Sequence, residues 1–181
     1  NKDIFFFFFA ITVSSVMGWY CDKLGIEGDK NYWEIVGLLH DVDFELYPNE
    51  HCKKAVMILK EENVNDDIIH SVCSHGYGIC CDIEPTEKVE KVLFATDELT
   101  GIINAAALMR PSKSTKDMPL KSLKKKFKSK GFAAGCDRDV IQKGAEMMGV
   151  ELNELLSDTL EAMKANEDRI NEFMENFEKN L

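Results

Sequence analysis

From Glu87 to Met109 the sequence carries one long helical pattern whose second half is apolar on nearly every side (Ile102, Ile103, Ala105, Ala106, Ala107, Leu108). A helix with no solvent face must be enclosed by other elements, so this stretch predicts the centre of a helical bundle. Its neighbours carry helical patterns too. Asn31 is expected to cap a helix from Trp33 to His40, and a second amphipathic helix is expected from Glu50 to Glu62. Asn65-Asp66 should cap a third, ending at Gly76. After Arg110-Pro111 come a polar linker, a short basic helix near Leu120 to Lys130, and a helix capped by Asp137 and closed after Met148 by Gly149. The last helix starts near Leu152 and carries the stripe Leu155, Leu156, Leu160, Met163, Ile170, Phe173, Met174 and Phe177. No segment shows convincing β alternation and no internal repeat is found. The expected class is all-α.

The N-terminal stretch, Ile4 to Leu24, reads as a buried helix stopped by Gly25. It opens with five consecutive phenylalanines, Phe5 to Phe9, whose side chains cannot all be buried on one helix. The apolar run resembles a short signal-peptide core, yet Gly18-Trp19-Tyr20-Cys21 offers no small-x-small cleavage pattern. We read the run as too short to span a bilayer. The chain starts without Met, and we expect this start to be truncated or imperfectly recorded.

A net charge of -10 on 181 residues argues against wholesale binding to nucleic acid or to an anionic membrane. The charge is uneven: Lys113 to Lys130 holds eight lysines against the single acid Asp117. Such a segment suits a small phosphate-bearing ligand or a local docking face, or is simply a solvated surface. The six cysteines form no Cys-x-x-Cys pair, and Cys80-Cys81 are adjacent, so we expect reduced thiols and a cytoplasmic protein.

Four positions combine metal-binding chemistry with an apolar helix face. His40 with Asp41 ends the run Gly37-Leu38-Leu39. His51 shares a face with Ala55 and Ile58, His75 shares one with Ile68 and Val72, and Asp97 stands among Leu93, Phe94 and Gly101. His70 falls opposite His75 and is expected at the surface. Imidazole and carboxylate together are a common mixed donor pair for a divalent transition metal. The plainer alternative is that His40 bonds a backbone carbonyl, Asp41 caps a turn and Asp97 is a satisfied core group. Glu98, one residue on, points about 100° away from Asp97 and is expected in a salt bridge or at the surface.

Leu38-Leu39-His40-Asp41, Tyr47-Pro48-Asn49-Glu50-His51, Ser74-His75-Gly76 and Phe94-Ala95-Thr96-Asp97-Glu98-Leu99-Thr100-Gly101 resemble the HD superfamily of metal-dependent phosphohydrolases. The similarity continues through Ala107-Leu108-Met109-Arg110-Pro111-Ser112-Lys113. Lys128-Ser129-Lys130-Gly131-Phe132-Ala133-Ala134-Gly135 looks like the C-terminal extension of a bacterial branch of predicted HD-domain hydrolases. The resemblance runs from about Met17 to Met163. It implies an HD-domain helical core over 1–111, with a basic linker and helical extension over 112–181.

On that resemblance His40, Asp41 and Asp97 match core metal ligands, with Asp41 and Asp97 catalytic, and His51 and His75 occupy the places of extra ligands. One or two divalent ions (Fe, Mn, Mg or Zn) are implied, with Arg110 and Lys113 as candidates for holding a substrate phosphate. The implied activity is hydrolysis of a phosphate ester of a small metabolite such as a nucleotide. The superfamily's first-helix histidine falls at about Phe9 here, and phenylalanine cannot ligate a metal. The alternative is therefore a degenerate HD-fold protein that binds a ligand without turnover. The expected partner is a small phosphorylated substrate rather than a nucleic-acid polymer or a membrane. The last helix could carry a homo-oligomer contact.

Overall fold

A computed structural model describes residues 2–179. Among them there are eight α-helices and no strand: α1 (Lys2–Lys23), α2 (Lys30–Leu39), α3 (Lys53–Glu61), α4 (Asp66–Cys73), α5 (Lys88–Leu108), α6 (Leu120–Lys128), α7 (Arg138–Met148) and α8 (Leu152–Lys179). The protein is all-α. Two single 3-10 turns, Pro48–Glu50 and Ser74–Gly76, precede α3 and follow α4. The chain divides into two compact units, Asn1–Phe94 and Ala95–Leu181, with the division inside α5.

In the first unit α1 lies along α2. The close approach requires Gly37: a β-carbon there would stand 2.8 Å from Met17 Cγ and 2.9 Å from Ser14 Cα. The Ser14 hydroxyl crosses the same gap and donates to the Glu34 carbonyl at 2.8 Å. Val13, Val16, Met17, Tyr20, Trp33 and Val36 are buried in this unit. Gly25 ends α1 with a φ of 66°, and the Ile26 N–H returns to the Cys21 carbonyl. The phenylalanine run is helical, with Phe5 more than half exposed and Phe6 to Phe9 half-buried. The apolar segment extends through Ile4–Lys23, so by length and composition this helix could cross a membrane, which corrects the shorter span read from the sequence. Core helices of soluble proteins pass the same test.

In the second unit α7 meets the start of its share of α5 through Gly144, where a β-carbon would overlap Ala95. Asp137 caps α7, its carboxylate accepting the N–H groups of Asp139 and Val140, and Gly149 closes it at φ 70°. Leu155, Leu156, Leu160, Met163, Ile170 and Met174 of the α8 stripe are buried, whereas Phe173 is 46% exposed. Glu167 of α8 clasps the linker, accepting the Thr115 N–H at 2.7 Å and the hydroxyls of Ser114 and Thr115.

Three local expectations need correction. Asp29, not Asn31, takes the N-cap place of α2. His51 precedes α3, in the turn between Pro48–Glu50 and Lys53, so it shares no helical face with Ala55. His75 sits in the 3-10 turn after α4 rather than on the helix.

Candidate metal centre

Four polar side chains of the first unit meet although they come from three separate segments. His40 follows α2 and is fully buried, Asp41 is next to it, His51 lies ahead of α3, and His75 lies in the turn after α4. Their Nε2 atoms surround the Asp41 carboxylate: His40 at 3.4 Å from Oδ2, His51 at 3.5 Å and His75 at 3.7 Å from Oδ1. The rings of His40 and His75 are 5.3 Å apart, and those of His51 and His75 4.9 Å.

The opposite nitrogen of each ring is anchored. His40 Nδ1 meets the Gly37 carbonyl at 2.7 Å, His75 Nδ1 the Val72 carbonyl at 2.5 Å, and His51 Nδ1 the Asp43 carboxylate at 2.7 Å. A carbonyl or carboxylate oxygen only accepts, so each Nδ1 carries the proton and donates it. In the neutral rings each Nε2 then presents a lone pair. Two of these, on His51 and His75, face each other at 2.9 Å. Facing lone pairs repel unless a proton or a metal cation lies between them. Metal-binding histidines show this arrangement, one nitrogen toward the ion and the other donating to a carbonyl or carboxylate that fixes the tautomer.

Asp43 is the residue that the sequence reading missed. It is fully buried, holds His51 through one oxygen and accepts the Ala55 N–H through the other at 2.8 Å. Neither partner is at helical spacing from it, and Asp43-Phe44-Glu45-Leu46-Tyr47-Pro48 reads as an ordinary polar turn. Burial works to raise the pKa of Asp41. When His40 and His75 also carry a proton on Nε2, their charge and hydrogen bonds outweigh it and hold the carboxyl well below its usual range, so Asp41 is then an anion at neutral pH.

As the plainer alternative expects, the His40 ring bonds a backbone carbonyl, and its other nitrogen turns to Asp41. Phe9 stands beside this group, its ring centroid 5.8 Å from that of His40. His70 is exposed as expected, yet its Nδ1 lies 2.7 Å from the buried Glu90.

The remaining candidates belong to the second unit. Asp97 is half-buried on α5. Glu98 is half-buried as well, and instead of a salt bridge it meets the Cys136 side chain and the Asp137 backbone. Arg110 is occupied locally: its Nε and Nη2 donate to the Asp117 carboxylate at 2.9 Å and the Asp117 carbonyl at 2.8 Å. Its guanidinium fork is thus already used, which weakens it as a phosphate ligand. Lys113 is exposed, at a φ of 51°. No family model matches the chain, and no curated protein or solved structure matches it either.

Proposed function

We propose that the first unit holds a divalent transition-metal ion and that the protein is a metal-dependent phosphohydrolase of the HD type, cleaving a phosphate ester of a small metabolite. The observation that carries this reading is the convergence of three anchored imidazoles on one ionised carboxylate. His40, His51, His75 and Asp41 would hold the ion. An imidazole-rich set suits Fe or Zn better than Mg, which prefers oxygen. When bound, such an ion lowers the pKa of a coordinated water to roughly 7 and polarises a phosphoryl oxygen. Asp43 keeps the His51 ring oriented, and the carbonyls of Gly37 and Val72 do the same for His40 and His75.

The test is metal content by elemental analysis, with phosphate release measured on a panel of phosphomonoesters supplied with Mn or Fe. Bound metal and metal-dependent release are expected, with metal lost in His51→Ala and His75→Ala but kept in His70→Ala. Equal loss in all three variants would defeat the assignment.

A second reading is favoured by Phe9: the fold binds a ligand but does not turn it over, because the first-helix donor is missing. Phe9→His separates the two. A gain of metal affinity and activity in that variant, over a wild type that binds metal without releasing phosphate, selects the second.

A further inference from the structure

We propose that Cys52, Cys80 and Cys81 form a separate thiolate site for a soft d10 cation, with Zn2+ as the natural ion. The three sulfurs lie within 4.8 Å of one another, and those of Cys52 and Cys80 are 3.2 Å apart. Tetrahedral zinc with Zn–S bonds of about 2.3 Å separates its sulfurs by about 3.8 Å. Only a small spreading of the present positions therefore admits the ion. No disulfide joins any of them.

The backbone holds the thiols in place. The Gly76 carbonyl accepts the N–H groups of Ile79 at 3.0 Å, Cys80 at 2.9 Å and Cys81 at 3.2 Å, while the Gly78 N–H meets the Cys81 carbonyl at 2.9 Å. This tight turn carries two adjacent cysteines back toward Cys52. Gly76 leaves the space that the sulfurs face, since a β-carbon there would overlap Cys80 Sγ and stand 2.6 Å from Cys52 Sγ. Cys52 itself has a φ of 64°, a left-handed conformation unfavourable for a residue with a β-carbon, and is only 2% exposed. Cys73 also borders Cys52, its thiol meeting the Cys52 carbonyl at 3.5 Å.

Thiols are weak hydrogen-bond donors, and here Cys80 meets Cys52 Sγ and the Gly76 carbonyl while Cys81 meets the Cys73 carbonyl. Thiolates packed this closely would repel, and a soft divalent cation removes that repulsion as the thiol protons leave to solvent. Cys52 also borders His51 and His75, all three having a donor atom within 4.8 Å of the others. The two sites nevertheless differ in chemistry, one of sulfur and one of nitrogen and oxygen. The thiolate site stands whether or not the phosphohydrolase reading does.

The experiment uses the full chain under reducing conditions, titrated with Cd2+ and followed by the ultraviolet sulfur-to-metal charge-transfer band, with Zn2+ as competitor. A band saturating at one ion is expected, displaced by Zn2+ and retained in His40→Ala and His75→Ala, because imidazole does not produce it. Cys80→Ser/Cys81→Ser should abolish the band and weaken Cd2+ binding by at least about tenfold. Cys81→Ser alone covers a folding failure of the double variant: serine can keep the bond to the Cys73 carbonyl that the thiol makes at 3.1 Å, and Cd2+ binding should still weaken. No band in the reduced wild type, or a band unchanged in either folded variant, overturns the proposal.

Discussion

The two units treat a glutamate of α5 in opposite ways, Glu90 being buried and Glu98 half-buried. In the first unit Glu90 is surrounded by donors: the N–H groups of Thr86 and Glu87, the Ser71 hydroxyl and the His70 ring. Burial works to raise its pKa, but these hydrogen bonds win and lower it. Eight residues on, in the second unit, Glu98 has the Cys136 thiol and the Asp137 N–H for company. Burial, joined by the negative charge of neighbouring Asp97, pushes its pKa up to about 7. Depth alone thus decides nothing about a carboxylate; the number of donors aimed at it does. The same contrast runs through composition. All four histidines and five of the six cysteines lie before Ala95, whereas the lysine-rich segment lies after it.

The hardest blow to this contrast should come from Asp43→Ala. That change strands the Ala55 N–H and unmoors His51, and should cost about 3 kcal/mol in urea unfolding, with a fall in bound metal. A loss below about 1 kcal/mol would mean that the first unit does not depend on its donor-saturated carboxylates.

Glu90→Gln should cost about 1–2 kcal/mol at neutral pH. Its folded pKa is lowered, so wild-type stability from this group is present above the unfolded value near 4.3 and disappears as pH falls through the folded one. The difference between wild type and variant should therefore shrink in acid, which unfolding curves between pH 7 and pH 3 will show. Glu98 should behave in reverse and more weakly. The native state keeps its proton between the unfolded value near 4.3 and about 7, so stability drains away as pH rises through that window. Glu98→Gln should remove the drain and gain about 1 kcal/mol above pH 7, after allowance for partial solvent screening. If both variants lose stability at pH 8, the contrast between the units fails.

Much of the fold could be read from sequence because helical information is local. Asp137 and Gly149 are a cap and a stop within a turn of the elements they bound, and α7 begins and ends where they predict. The apolar half of α5 is likewise visible in a short window, and Ile102, Ile103, Ala106 and Ala107 are buried, but its end opens to solvent at Leu108, which is 55% exposed. The site was legible as a set of residue types but not as a geometry. The sequence pattern sets His51 and His75 on helical faces, yet both sit in turns whose direction is set by tertiary contacts. Asp43 escaped notice because its partners are His51 and the Ala55 backbone, neither at a spacing that any periodicity marks. The thiols escaped for the same reason: Cys52 and Cys80 are far apart in sequence and match no metal-finger spacing. The reversed turn at Gly76 that joins them is a backbone event.

His51 and Cys52 share one peptide group, and the left-handed φ at Cys52 sends their side chains into two different kinds of chemistry. A tilt of that single peptide plane would reach both at once. Nitrogen and sulfur donors therefore share one backbone hinge, which a side-chain replacement at His40 or His75 leaves alone and a backbone change at Cys52 does not.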